Sequence, residues 1–416
     1  MGIEARQAAA RALDWVLREG RMLAHLPQDA RLAPADQARA GRLVSLTLRH
    51  MDPLDACIAP YLDRKPHVSA LILLRLAAAE LLVAGEDAHG VVDSAVSMAK
   101  RNKGTARMAG MINAVLRKVA VEGPERFAAE APQQLPGWIG GPLKKRYGLE
   151  TLRAIEAAHV PLPPIDLTVK PGATVDLPGA TALPTGSLRV PAGTQITALP
   201  GYDDGTFWVQ DTAAALPVRL LGDVAGARVL DLCAAPGGKT MQLAAMGAEV
   251  TAVDLSQARM ARVAANLKRT GLAAELVAGD AFDHTAAPYD AILLDAPCSA
   301  TGTIRRHPDL PHVKQWTEVE PLTRLQMRLI DHALGLLAPG GRLVFCTCSL
   351  LPVEGEHQVT AALKRHEGLA VIPADATALG GDASWQSPEG GLRLRPDFWS
   401  GIGGIDGFYM AALTRP

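Results

Sequence analysis

The 416-residue sequence predicts an α/β protein in three parts: an all-α region over residues 1–130, a small α+β connector over 131–215, and a mostly parallel, doubly wound sheet over 216–416. Three observations predict it. Apolar residues recur at three- and four-residue spacing near the N-terminus, Pro and Gly crowd the middle, and continuous apolar runs alternate with helical segments in the C-terminal half.

The helical pattern shows in Ala9-Ala10-Leu13-Val16-Leu17, Leu71-Leu74-Leu76-Leu81-Leu82 and Met111-Ala114-Val115. Pro124, Pro132 and Pro136 with Gly137, Gly140 and Gly141 punctuate its end. Ile165-Asp166-Leu167-Thr168-Val169 is a β-like run in the connector. Strands are then expected at 228–232, 249–253, 274–277, 291–294 and 342–345, with Phe408–Leu413 closing one edge of the sheet.

A chain of this length exceeds one ordinary core. Its hydrophobic content of 48% is dominated by aliphatic residues, with 4% aromatic. No apolar stretch reaches the roughly 18 to 20 residues of a membrane helix. The start, Met1-Gly2-Ile3-Glu4-Ala5-Arg6, runs straight into an amphipathic helix, from which a cytoplasmic protein is expected. Five cysteines at irregular spacing fit reduced thiols. Cys346-Thr347-Cys348 lacks the paired spacing of a zinc site, so no metal is expected.

A net charge of −1 argues against indiscriminate polyanion binding, yet no acid falls between Asp93 and Glu122. That interval carries Lys100, Arg101, Lys103, Arg107, Arg117 and Lys118, and Lys144, Lys145 and Arg146 follow later. A solvated helix face is the plain reading of such a run; a phosphate-contacting surface is the sharper one.

Cys298 and Cys348 each follow an apolar run that reads as a buried strand. Ligands of an open parallel sheet bind beyond the carboxyl ends of its strands, so both thiols should face one crevice. Upstream, Asp231-Leu232-Cys233-Ala234-Ala235-Pro236-Gly237-Gly238-Lys239-Thr240 joins the first strand to a helix near Thr240, and its small residues admit close approach of a ligand. It is neither a G-x-G-x-x-G turn nor a triphosphate-binding loop. Asp254 ends the second strand, where a carboxylate reads a ribose diol, and Asp280 follows the third, beside an expected adenine. Three strand-end acids in step with a Gly-rich loop point to a nucleoside-type cofactor.

These segments resemble the RsmB/NOP/Sun-type RNA (cytosine-C5) methyltransferases. The likeness is carried by Cys233–Thr240, Asp295-Ala296-Pro297-Cys298-Ser299-Ala300-Thr301-Gly302, Arg305-Arg306-His307-Pro308-Asp309 and Thr347-Cys348-Ser349. His89–Val96 and Ile112–Arg117 resemble the NusB-like helical RNA-binding domain of the RsmB branch, and Trp138, Tyr147-Gly148 and Val209–Ala213 fit as well. The resemblance implies a Rossmann-like S-adenosylmethionine-dependent domain, with the cofactor held by Cys233, Ala234, Ala235, Pro236, Gly237, Gly238, Lys239, Asp254, Arg259, Asp280 and Asp295. Cys348 is then the nucleophile toward cytosine C6, Cys298 the cysteine that helps release product, and Asp295, with Lys239, the cytosine-binding group. Arg305 and Arg306 join the basic run as RNA contacts. Cys346 matches no family role and reads as packing.

The implied protein is a monomer acting on RNA, on 16S ribosomal RNA before tRNA, with no membrane and no metal. Two departures touch RNA contact: Pro164–Lys170 replaces a usual Arg-Val-Asn ending, and His159 a usual Asn. Two rival readings are a DNA cytosine-C5 methyltransferase, with Cys298 as nucleophile, and a non-catalytic NusB-like RNA binder carrying a dead methyltransferase.

Overall fold

A computed structural model describes residues 2–27, 29–30, 32–286 and 288–415. They fall into two compact units, one of residues 1–161 with 307–315, the other of 162–306 with 316–416.

The first unit is helical, with α1 (Ile3–Leu17), α2 (Pro34–Arg49), α3 (Met51–Ile58), α4 (Val68–Leu82), α5 (Ala88–Arg101), α6 (Ala109–Ala129), α7 (Gly137–Ala158) and the one-turn α11 (Leu310–Val313). Helix α4 is apolar over most of its surface and therefore sits at the centre, its Leu73, Leu74 and Ala77 against Val91, Ile112 and Leu116, its Ile72 and Leu76 against Leu13 and Leu43. Asp87 caps α5 by accepting from the Gly90 amide. A fully buried charge pair crosses this core. The Arg6 guanidinium donates to Glu80 at 2.6 to 2.9 Å, and Glu80 is 1% exposed.

The second unit begins with a four-stranded antiparallel sheet of β1 (Ile165–Val169), β2 (Thr181–Ala182), β3 (Leu188–Val190) and β4 (Phe207–Val209), in the order β2-β3-β1-β4. The buried Asp166–Arg189 pair at 2.7 Å holds it, in the segment that departs from the family pattern. Beyond it lies an eight-stranded sheet of β5 (Arg228–Leu232), β6 (Glu249–Asp254), β7 (Glu275–Ala278), β8 (Tyr289–Asp295), β9 (Leu337–Thr347), β10 (Ala370–Ile372), β11 (Leu392–Leu394) and β12 (Phe408–Thr414). Its order is β10-β12-β9-β8-β5-β6-β7, parallel from β7 to β9, with β12 antiparallel to β9 and β11 pairing β12.

Helices α8 (Thr212–Leu220), α9 (Gly238–Ala245) and α10 (Gln257–Thr270) follow the early strands, and α12 (Val319–Leu336) and α13 (Glu356–Arg365) the later ones. Successive strand residues alternate between the two faces. Val229, Leu293 and Val344 pack with Leu216 and Leu243, while Leu230, Ile292 and Phe345 pack with Leu329, Ile330 and Val359. This is the Rossmann-like layering the sequence predicts.

Two expectations need correction. The connector is no separate body: α7 belongs with the helices, because Ile139, Leu143 and Ile155 are buried there, and the small sheet clusters with the large one. Nor does β12 close an edge. Its residues Phe408 to Leu413 are buried because β9 flanks one side and β10 and β11 the other.

Removing the Glu80 carboxylate takes the buried counter-charge from the Arg6 guanidinium. Glu80→Ala is expected to destabilise the helical unit by about 3 to 5 kcal/mol, read as a lower urea midpoint by far-ultraviolet circular dichroism; an unchanged midpoint would show that the pair contributes nothing net.

Candidate active site

The sheet reverses its strand order between β5 and β8, and a cavity of about 540 Å³ opens at the carboxyl ends there. Three strand-end segments are among those that meet in it. The loop after β5 brings Cys233, Ala234, Ala235, Pro236, Gly238 and Lys239; the loop after β8 brings Asp295, Pro297, Cys298 and Arg306; the end of β9 brings Cys348.

The first loop turns through Gly237, whose φ of +96° suits glycine and where a Cβ would stand 2.9 Å from Val263. Gly237 shapes the turn, while Gly238, the first residue of α9, lines the cavity. Below the loop, Asp254 is buried, with one oxygen accepting from the Ala235 amide at 3.1 Å and the other from Ser256 at 3.0 Å. Arg259 donates to the Ala235 carbonyl and lies 3.6 Å from Asp254. Asp280 stands apart. It is exposed and caps a short 3-10 turn through the Phe282 amide.

Lys239 donates to Asp295 at 2.7 Å and lies over the Phe408 ring. Burial opposes its charge, but the neighbouring Asp295 carboxylate wins and its pKa is raised, so the ammonium persists throughout the working pH range. Among the described residues the other Asp295 oxygen meets only the Cys346 thiol, at 3.6 Å, which leaves it capacity for a ligand. Cys346 itself is fully buried among Val344, Met410 and Ala412, as a packing residue should be.

Cys298 and Cys348 lie 3.5 Å apart, sulfur to sulfur. The hydrogen bond to Cys348, then burial, hold the Cys298 thiol neutral well above the usual range. Burial also pushes Cys233 up to about 12. The cysteine of the cofactor loop is therefore no thiolate.

Arg305 is not an RNA contact. It is 1% exposed, donating to Asp211 at 3.1 Å and Asp406 at 3.2 Å, and so ties its loop to the start of α8 and to the loop before β12. Arg306 pairs with Asp406 and reaches the cavity. Lys100, Arg101, Lys103, Arg107, Arg117 and Lys118 are all exposed on or between α5 and α6 of the helical unit. Sequence reasoning missed Trp208, Gln210 and Phe408 as lining residues. Only the quoted Val209–Ala213 segment hinted at them.

Comparison with known proteins extends this picture. Residues 218–414 match the family described as 16S rRNA methyltransferase RsmB/F, and residues 3–121 the NusB family. The chain is 35% identical to Ribosomal RNA small subunit methyltransferase B of Pseudomonas putida, over 99% of this chain and 98% of that one. It belongs to the RsmB/F methyltransferase family. The Vibrio cholerae protein of the same name is 33% identical over 99% and 97% of the two chains. NSun6 from Pyrococcus horikoshii, solved with the S-adenosylmethionine analogue SFG, shares the fold at a TM-score of 0.57, 19% identity, and 67% and 98% coverage.

The cofactor of the family is S-adenosylmethionine. The residues present fit it. Ala234, Ala235 and Gly238, all small, bring backbone to the cavity wall. Arg259, Asn266 and Asp295 supply polar groups. Among the described residues no group of three or more His, Cys, Asp and Glu is arranged to hold a metal ion, and no helix is long and apolar enough to cross a membrane.

Beneath this cavity wall Asp231 is fully buried, one oxygen accepting from Thr240 at 2.6 Å and the other without a hydrogen-bond partner among the described residues. Burial pushes its carboxyl up to about 7. The folded protein then keeps a proton that the unfolded chain releases near pH 4, so stability falls as pH rises from about 4 to about 7, by up to roughly 4 kcal/mol. Asp231→Asn should abolish that slope, with the melting temperature of the parent falling relative to the variant between pH 5 and 7 and the gap constant above. Parallel curves would contradict it.

Proposed function

We propose that this chain transfers the methyl group of S-adenosylmethionine to C5 of a cytosine in 16S ribosomal RNA, with Cys348 as nucleophile. The observation that carries the reading is the pair of thiols 3.5 Å apart in a cavity shared with the Lys239–Asp295 pair and the cofactor loop. The relatives' names support the RNA and its subunit.

Cytosine C5 is a poor nucleophile, so a thiolate must first add to C6 and push electron density onto C5. A neutral Cys298 beside it can donate to the Cys348 sulfur and stabilise its thiolate. Asp295 accepts from the cytosine amine, whose N–H bonds polarise as charge develops on the ring, while Lys239 holds the carboxylate in place. When bound, S-adenosylmethionine supplies an electrophilic methyl group. Once C5 carries both methyl and hydrogen, the C5–H electrons must re-form the ring double bond and expel Cys348. Cys298 can pass its proton to the departing sulfur and take up the C5 proton, leaving both thiols protonated; one proton then returns to solvent. Asp254 and Arg259, holding the Ala235 turn, and Asp280, beyond it, are assigned to the cofactor's ribose and adenine side.

The exposed cations of α5 and α6 fit the RNA backbone, with Lys118 also lying over the Tyr61 ring at 5.2 Å. Replacing Lys100, Arg101 and Lys103 with Ala should weaken RNA binding and reduce its salt slope by about one per lost phosphate contact, with cofactor affinity unchanged. Filter binding across a salt series decides; an unaltered slope returns these residues to a solvated face.

The two cysteines should fail in opposite ways. Cys348→Ala is expected to give background activity and no protein–RNA adduct. Cys298→Ala should transfer methyl and stall, leaving an adduct that survives denaturing electrophoresis and collapses with nuclease, and the double variant should lose it. An adduct in Cys348→Ala and none in Cys298→Ala would exchange the roles. Methylation of DNA in place of RNA from cells lacking the protein would overturn the substrate.

A further inference from the structure

We propose that Glu354 is a positioning residue, holding the two thiols at their working separation. This rests on the cysteine-pair reading of the reaction. Glu354 touches neither the cavity nor either sulfur; it is fully buried in the short turn between β9 and α13. Its carboxylate grips the residue after each cysteine. One oxygen accepts from the Ser299 amide at 2.8 Å and the Gln326 amide at 3.2 Å, the other from the Ser349 hydroxyl at 2.6 Å and the Ser299 hydroxyl.

Everything around it is arranged to make the grip rigid. Gln326 also donates to the Pro297 carbonyl at 2.8 Å, immediately before Cys298. Thr301 lies 3.2 Å from both serine hydroxyls and accepts from the Leu350 amide at 2.9 Å. Thr347, immediately before Cys348, donates to the Glu354 carbonyl at 3.0 Å. So the residue after each cysteine answers to one carboxylate, while the Glu354 main chain holds the residue before Cys348 and Gln326 links the residue before Cys298. No cation pairs with Glu354 among the described ion pairs, and four donors from hydroxyls and amides take that place. A buried carboxylate so held is costly to misplace. Moving it by one carbon would let the two cysteine loops drift independently.

Dibromobimane, which fluoresces only after alkylating two neighbouring thiols, reads this spacing in the full chain without cofactor or RNA. The parent should be bridged rapidly and Cys298→Ala not at all. Glu354→Asp keeps the charge but shortens the reach; bridging should slow at least about ten-fold and kcat fall about a hundred-fold, with KM for RNA and cofactor affinity near the parent's. Glu354→Gln, of full length, should recover part of both. Should Glu354→Asp fail to fold, Ser299→Ala and Ser349→Ala each remove one hydroxyl grip and should slow bridging in the same direction by a smaller factor. Parental bridging in folded Glu354→Asp, or in both serine variants, overturns the proposal, as does a loss spread equally over kcat, KM and cofactor affinity. Because bridging involves no substrate, its outcome judges Glu354 even if cytosine proves not to be the base.

Discussion

Everything in the catalytic unit depends on the parallel register of β8 against β9, in which Asp295 stands opposite Cys346. Side chains alternate faces along a strand, so a slip of one residue would turn Asp295 from the cavity into a helix-covered face. The pairing outlasts the strands. Ala296 donates to the Cys346 carbonyl at 3.0 Å and Gly302 to the Cys348 carbonyl at 2.9 Å, carrying both loops forward side by side. Gly302 is required there, since a Cβ would fall 1.9 Å from the Gly407 carbonyl oxygen. Adjacent parallel strands thus convert a fifty-residue separation in sequence into a sulfur-to-sulfur approach of 3.5 Å.

Rigidity around this register comes from buried charge, and buried charge is expensive unless every group is answered. Arg305 meets Asp211 and Asp406, Asp254 meets two backbone amides, Lys239 meets Asp295, and Glu354 meets four donors. Asp231 is the exception, with one orphaned oxygen and a raised pKa. Such groups stabilise little when compared with apolar packing, but they define geometry that aliphatic side chains would leave loose. The cost falls where a ligand must be held, and the two apolar layers on either face of the sheet offset it.

Reading the sequence found what is local and periodic. The strand at 228–232 lies as expected, and the others began or ended within a few residues, β9 being longer because it pairs on both edges. The three-residue strands β10 and β11 were illegible, since a period of two needs more residues to show. The Cys-Ala-Ala-Pro-Gly-Gly-Lys-Thr loop and both cysteines were legible because small residues and thiols at strand ends carry chemistry in their identity. Arg305 was misread for the converse reason. An arginine beside another arginine resembles surface, and its partners lie 94 and 101 residues away. Helix α7 was assigned to the connector because Gly and Pro near its start look like a linker, whereas its burial is set by residues far along the chain. Glu354 had no local signal at all.

Comparison of the five cysteines shows why position outweighs residue type in this family member. Cys57 and Cys346 are enclosed by apolar neighbours, and burial raises both thiols out of reach of ordinary ionisation. Cys233 borders the cavity, yet burial and three nearby carboxylates hold it protonated. Cys298 borders it too, and is kept neutral first by its hydrogen bond to Cys348. A proton held on Cys298 suits the release role proposed for it. Cys348 lines the same cavity, 3.5 Å from Cys298. What separates these thiols is therefore their place in the fold, through the carboxylates and apolar groups that reach each one.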